Sequence, residues 1–391
     1  AASSSAPSNN AVADRPREVD VDQLRKLVAT LREDSVVQPF SSMDFYQFGR
    51  TLGQGAYGKV KLGWHLLTGE KVAVKTFEKS KLTETQARKR VSREIRILKA
   101  LNHPNVIKLY EVVDIPLRKF LIMQFSSGGD LCRYVRENRR LSEAESCRLF
   151  CQIVEGLQYC HSCGVVHRDV KLDNLLIDED RNIKIVDFGF SVSFKEGQKL
   201  RKACGSPSYA APEIVARRPY SPTGVDVWSL GVVLYAMVCG YFPFQGNTNQ
   251  DLCRKIVKGK FECPPFMTAE VRDLVKKMLN VDAAKRITLR EVQEHPWCRA
   301  TFQKMEPANV SIRPIECEES ESSVAAFNND VELIEVDEGL LAQLVSLGFQ
   351  REYAVRAVSR NQHNLCCSTY WLLHHRREAQ RKAAAGGGGG G

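Results

Sequence analysis

The sequence predicts an α+β chain: a small strand-rich lobe, a larger helical lobe, and then a short three-helix domain. Three observations carry this. Strand-like residues crowd between Phe45 and Lys75 and again from Ile107 to Phe125, with Gly53, Gly55 and Gly58 punctuating the first stretch. After Gly128-Gly129 the apolar residues fall mostly at helical spacing. That spacing returns from Leu340 to Arg376, beyond an acidic, serine-bearing stretch without periodicity.

The elements follow in order. Residues 1–17 are rich in Ala, Ser, Asn and Pro and read as disordered. From Asp20 to Arg32, Val21, Leu24, Leu27, Val28 and Leu31 mark one amphipathic helix, which packs on the rest of the chain or on a partner; the first is the plainer reading. Thr83 to Ala100 reads as a helix closed by Asn102-His103-Pro104. Further helices are predicted at Leu131–Asn138, Ser142–Cys163, Val225–Val238, Asn249–Lys258 and Thr268–Leu279. Glu306 to Glu338 reads as a linker. In the last domain the periodic set is Leu341, Leu344, Val345, Val355, Val358, Leu365, Tyr370, Trp371 and Leu372, and a flexible glycine run closes the chain. The resulting boundaries are 1–44 for the N-terminal segment, 45–302 for the two lobes, 303–336 for the linker, 337–377 for the three-helix domain and 378–391 for the tail.

Bulk properties exclude several function classes. The length, 391 residues, fits one large two-lobed unit plus something smaller. The net charge of +10 is spread along the chain. Its densest run, from Lys71 to Lys99, has no aromatic residue between Phe77 and Tyr110, so a solvated helix face is expected rather than a nucleic-acid surface. The cysteines are irregular; Cys160 and Cys163 flank His161 with no second half, which argues against zinc. No signal peptide opens the sequence and no apolar run reaches bilayer length. Reduced thiols in the cytoplasm, with the nucleus left open, are the expectation.

The chemistry concentrates in Val166-His167-Arg168-Asp169-Val170-Lys171-Leu172-Asp173-Asn174 and in Asp187-Phe188-Gly189. One short segment holds a candidate base (Asp169), a cation that can neutralise phosphate (Lys171) and an amide oxygen (Asn174), with a carboxylate (Asp187) soon after. A hard amide oxygen and a carboxylate suit Mg2+. Alone, each aspartate would read as a loop cap; four such residues in order do not. Upstream, Gly53-Gln54-Gly55-Ala56-Tyr57-Gly58 leads into another strand, Val60-Lys61-Leu62-Gly63, and not into a helix. A Rossmann turn is thereby excluded, and a hairpin lid over a triphosphate is the better reading.

Together with Val72-Ala73-Val74-Lys75, this set resembles the eukaryotic protein kinases. The resemblance covers Phe45 to Trp297 and implies a two-lobed kinase fold that uses ATP and Mg2+. It implies that Lys75 bridges the α- and β-phosphates with Glu94 as its anion, that Leu52, Gly53, Gly55, Gly58, Val60, Ala73 and Leu176 surround the nucleotide, and that Met123 is the gatekeeper before a Gln124–Ser126 hinge. Asp169 would accept or orient the acceptor proton, Lys171 neutralise the moving phosphoryl group, and Asn174 and Asp187 bind metal. Glu213 would pair with Arg286, and Asp226 would anchor the catalytic loop.

Lys171 fits the serine/threonine pattern, as does Gly205-Ser206-Pro207-Ser208-Tyr209-Ala210-Ala211-Pro212-Glu213. The latter, with His103-Pro104-Asn105-Val106-Ile107-Lys108-Leu109-Tyr110, resembles the AMP-activated kinase-related group. Leu344-Val345-Ser346-Leu347-Gly348-Phe349 and Asn361–Leu373 resemble the ubiquitin-associated-like domain of microtubule-affinity-regulating and sperm-motility kinases. That implies protein substrates and a C-terminal domain docked within the chain, with direct ubiquitin binding not expected, since it would need an exposed apolar patch around Gly348-Phe349. Asp130 and Asp173 match positions that read an arginine upstream of the acceptor, although Asp130 also suits a helix cap. One departure stands out. Lys202 occupies the position where this group carries its activating threonine, and a lysine has the wrong sign to replace a phosphate beside Arg168. Like charges at Arg168, Arg201 and Lys202 are expected to loosen that loop unless Glu196 or an external anion compensates. A non-catalytic scaffold and a ubiquitin-binding adaptor stay as competing readings.

Overall fold

The structure is a computed structural model that describes residues 20–30, 41–55, 58–306, 308, 310–315 and 333–386. The expected disorder of 1–17, the loop tip Ala56-Tyr57, the middle of the linker and most of the glycine run lie outside these residues. In chain order the first elements are α1 (Val21–Ala29), β1 (Tyr46–Gln54), β2 (Gly58–His65), β3 (Lys71–Glu78), α2 (Thr85–Ala100), β4 (Leu109–Asp114) and β5 (Arg118–Gln124). Then come α3 (Leu131–Glu137), α4 (Glu143–Ser162), β6 (Val165–Val166), β7 (Leu175–Ile177), β8 (Ile183–Ile185) and β9 (Val192–Ser193). The rest is helical: α5 (Pro212–Val215), α6 (Pro222–Cys239), α7 (Asn249–Lys258), α8 (Ala269–Met278), α9 (Leu289–Glu294), α10 (Pro296–Phe302), α11 (Glu338–Ser346), α12 (Arg351–Ser359) and α13 (Leu365–Gly386). Contacts divide the chain into two units: residues 1–88, 109–125 and 324–391, and residues 89–108 and 126–323.

The first unit is built on an antiparallel sheet of order β1-β2-β3-β5-β4. Its strands form because β-branched residues alternate: Val72 and Val74 point inward from β3 and are fully buried. The β1–β2 hairpin pairs Gly53 with Val60 and Gln54 with Lys59, and the Gly55 N–H donates to the Gly58 carbonyl at 2.9 Å. A strand, not a helix, thus follows the glycines. One apolar cluster joins Val72, Val74 and Ile122 of the sheet to Leu340, Leu344, Phe349, Val358 and Leu372 of the C-terminal helices.

Polar contacts stitch the same junction. Glu111 of β4 accepts from the Tyr46 hydroxyl at 2.6 Å and from Ser368 of α13 at 3.3 Å. The Val112 N–H donates to the His363 carbonyl at 3.1 Å, the Tyr110 hydroxyl meets His375 Nδ1 at 2.7 Å, and Arg376 pairs with Glu70 at 2.6 Å. Burial, with the Arg376 cation nearby, lowers the His65 imidazole to about 3, so it stays neutral. The tail differs from expectation. Helix α13 runs to Gly386, past residue 377, because Glu378 to Ala385 is an unbroken series of helix formers.

The second unit is mainly helical and has α4 and α6 in its core; Trp228, Leu230, Phe150 and Ile153 are fully buried. Two-stranded ribbons β6–β9 and β7–β8 carry the loops between them. Helix α6 is long and apolar enough to cross a membrane by length and composition, which the sequence reading did not anticipate, yet 89% of it is buried within the protein. The expected pair of Arg286 and Glu213 is bidentate, at 2.7 and 2.9 Å, with both side chains buried. Cys160 and Cys163 are fully buried, and burial pushes both thiols up, which suits packing and not metal binding.

Candidate active site

The segment from His167 to Asn174 follows β6 and hangs on one buried carboxylate. Asp226 Oδ1 accepts the Arg168 N–H at 2.8 Å; its Oδ2 accepts the His167 N–H at 2.9 Å and meets His161 Nε2 at 2.8 Å. Burial pushes Asp226 up, but the His161 hydrogen bond, the adjacent His161 and His167 rings and the backbone donor outweigh it and hold the carboxyl below its usual value. These bonds hold Arg168 at φ 65°, a left-handed conformation that is costly for a residue with a side chain. The anchor implied by the sequence is therefore present.

His167 orients the loop from within. Its Nε2 lies 3.0 Å from the Val186 carbonyl and must carry the proton, which leaves Nδ1 to accept the Asp169 N–H at 3.3 Å. Its ring meets Phe188 edge-on at 5.0 Å. Four donors then converge on the Asp169 carboxylate, which is 4% exposed. Oδ2 accepts Lys171 Nζ at 3.0 Å and Asn174 Nδ2 at 3.1 Å, while Oδ1 accepts the Ser206 N–H at 3.0 Å and its hydroxyl at 3.1 Å. Lys171 Nζ also donates to the Ser206 hydroxyl at 3.1 Å. One serine hydroxyl thus bridges the candidate base and the candidate phosphate-neutralising cation.

Asn174 spends its amide nitrogen on the Asp169 carbonyl at 2.9 Å and on the carboxylate, which leaves its side-chain oxygen as a ligand donor. Asp187 sits at φ 63° at the start of a short 3-10 turn. An amide oxygen and a carboxylate near the two ends of a β-ribbon offer hard-oxygen donors of the kind that suits Mg2+. Glu94, on α2, is 3% exposed, and Leu176 lies on β7 with its neighbour strand β8. Ser126 begins this unit's second stretch and is buried. Asp130 caps α3 by accepting the Arg133 N–H at 2.8 Å, while Asp173 is exposed.

The remaining predicted residues lie in the first unit. Lys75 pairs with Val60 on one side and Leu121 on the other, and its Nζ is 5.4 Å from the Phe77 ring centroid. Ala73 pairs with Met123, and Gln124 with Val72, so the residues that the resemblance assigns to the nucleotide on β3 and β5 are adjacent in register. Leu52 is 38% exposed on β1.

In the activation segment Leu200 and Tyr220 exchange both backbone hydrogen bonds, at 3.0 and 2.9 Å. Arg168 is satisfied by neutral acceptors: its Nε donates to the Phe190 carbonyl at 2.8 Å and an Nη to the Tyr220 hydroxyl at 3.2 Å, and that hydroxyl donates to the Lys202 carbonyl at 2.9 Å. Gly205 has φ 94°, and a Cβ there would lie 2.7 Å from the Arg168 carbonyl oxygen, so only glycine allows this passage. Sequence reasoning named Ser206 only as part of the serine/threonine pattern and did not single out Tyr220. For Ser206 the signal was the run Cys204 to Tyr209, whose path back to Asp169 sequence spacing does not reveal; for Tyr220 the sequence carried none.

The chain matches the protein kinase domain family over residues 46–298. It is 38% identical over 325 residues to the SNF1-related protein kinase catalytic subunit alpha KIN12 of Arabidopsis thaliana, which is 83% of this chain and 62% of that protein. The serine/threonine protein kinases OSK4 and OSK3 of Oryza sativa subsp. indica match at the same identity, over 83% of this chain and 61% of theirs. The chain therefore spans about three-fifths of the length of these relatives. With the catalytic loop, its anchor and the glycine-punctuated hairpin in place, the chain belongs to the protein kinase family.

Proposed function

We propose that this chain transfers the γ-phosphoryl group of ATP to serine or threonine hydroxyls of proteins. The observation that carries the reading is Ser206: its hydroxyl donates to Asp169 and accepts from Lys171, which is how an acceptor hydroxyl would be held. In the reaction the acceptor oxygen forms a bond to the γ-phosphorus while the bond to the bridging oxygen of ADP breaks. Asp169 takes the acceptor proton, and the electron pair leaves with ADP. The Lys171 ammonium offsets charge on the transferring group, and Lys75 offsets charge on the remaining phosphates. Asn174 and Asp187 would hold Mg2+, which neutralises phosphate charge when bound. Ser206 must yield its place on Asp169 to the substrate.

The similarity of the relatives, named as serine/threonine protein kinases, supports the choice of acceptor. A basic residue upstream of the acceptor is proposed from Asp130 and Asp173. Cytoplasmic location is proposed from the cysteine usage. The C-terminal helices are proposed as the internal regulator, since they share a core with the sheet that carries Lys75. A positional peptide-library assay with radiolabelled ATP tests the reading. Labelling confined to serine and threonine peptides supports it; labelling of tyrosine peptides, or of none, contradicts it.

A further inference from the structure

We propose that the Leu347-Gly348-Phe349 turn of the C-terminal helices is a helix-binding face, and that its resident ligand is the chain's own N-terminal helix α1. This goes beyond phosphotransfer and does not depend on it.

Three observations meet at this turn. First, α1 presents Leu24 and Val28 one turn apart, 7% and 1% exposed, and both belong to the apolar cluster that holds Leu344, Leu347 and Phe349; Leu27 packs against the same cluster. The opposite side of α1 is solvated, with an Asp22–Arg25 pair at 3.1 Å. Second, the contact is one of backbone against backbone. Gly348 has φ 102°, and a Cβ there would lie 2.6 Å from the Arg25 carbonyl oxygen and 3.6 Å from the Ala29 nitrogen. A side chain at this position would push α1 away. Third, α1 cannot hold itself. It has nine residues, and the Asp20 side chain caps it by accepting the N–H groups of Asp22 and Gln23 at 3.0 and 3.2 Å. A helix of that length is marginal in water unless it packs on something.

The turn is also where direct ubiquitin binding would need exposed apolar surface. Phe349 is 2% exposed, and α1 lies over Gly348. The face therefore has an occupant, and its chemistry defines what can compete: a short amphipathic helix with two aliphatic residues one turn apart. A competitor in trans faces a ligand on the same chain, whose effective concentration is on the order of millimolar. Displacement of α1 would then be the event that opens this face.

The test uses the full chain and a fluorescent peptide of residues 20–30. Amide hydrogen exchange should protect Leu24–Ala29 in the wild type by about tenfold or more over the free peptide. In Leu24→Asp/Val28→Asp, and separately in Gly348→Ala, that protection should vanish while α11 stays protected. The peptide should bind Leu24→Asp/Val28→Asp about tenfold or more tighter than the wild type, and addition of Gly348→Ala should abolish binding. The proposal is overturned if α1 exchanges at the peptide rate in the wild type, if the peptide binds both chains equally or neither, or if α11–α13 lose protection with α1, which would make α1 part of the core and not a ligand.

Discussion

The Arg168 guanidinium donates to the Tyr220 hydroxyl at 3.2 Å, and that hydroxyl donates onward to the Lys202 carbonyl at 2.9 Å. A neutral relay thus ties the catalytic loop to the activation segment at the position where a phosphate would otherwise pair with Arg168. Activity should then need no activating phosphate on this loop. Bacterially expressed protein should keep its turnover after phosphatase treatment and gain none from an upstream kinase, whereas Lys202→Thr should become activatable. Tyr220→Phe removes the relay, and loss of a hydrogen bond to a charged group, about 1.5–3 kcal/mol, should lower kcat about tenfold or more with little change in the KM for ATP. Strong activation of the wild type by loop phosphorylation would contradict this.

Ser206 donates its N–H and its hydroxyl to the Asp169 carboxylate, the proposed base. Phosphorylation there, or Ser206→Asp, would set an anion against the Asp169 carboxylate, whose Oδ1 is 3.1 Å from the serine oxygen. Turnover should fall about a hundredfold or more through like-charge repulsion. Ser206→Ala should lose far less. Steady-state kinetics on the two variants separates charge from the missing hydrogen bond; equal losses would refute the electrostatic account.

Glu111 gives the first unit a pH dependence. Burial pushes its carboxyl up to about 7 from 4.5, and hydrogen bonds from Tyr46, Ser42 and Ser368 offset this only in part. Between those two values the folded chain holds a proton that the unfolded chain has released. The group's contribution to stability is therefore full below pH about 4.5 and is lost as pH rises to about 7. Glu111→Gln should remove that slope and gain about 3 kcal/mol on the wild type across the window. Parallel stability curves for the two proteins in denaturant titrations at several pH values would rule it out.

Asp130 has a structural duty as the cap of α3, so its proposed role in reading substrate arginine has to be separated from it. Asp130→Asn keeps capping ability and removes the charge. Preference for arginine three residues before the acceptor should drop about tenfold with α3 intact, since a charge-assisted pair is lost. An unchanged preference would leave Asp130 as a cap alone.

Most of the candidate site's local geometry was legible because it is local in sequence. Asp169, Lys171 and Asn174 lie within one loop, and their mutual bonds follow from that spacing. Asp226 and the Glu213–Arg286 pair were legible through the family resemblance. What the sequence did not show is long-range. Ser206 returns to Asp169 only because Gly205 lets the chain pass Arg168, and Tyr220 reaches Lys202 through a loop of no regular period. Glu111 lies on β4, and its burial depends on Tyr46 and on Ser368 of a distant helix, which close over it. For α1, periodicity gave the helix but not its docking face. The tail shows the reverse: strong local propensity from Glu378 to Ala385 outweighed the expectation of disorder set by the glycines beyond it.

The central claim is that Asp169 receives the acceptor proton during phosphoryl transfer from ATP. Single-turnover phosphorylation of a serine peptide by the wild type and by Asp169→Asn, with ATP affinity measured on both, tests it most directly. Loss of about a hundredfold or more in the transfer rate, with ATP affinity nearly unchanged, is the predicted result. Wild-type-like transfer in Asp169→Asn would contradict it.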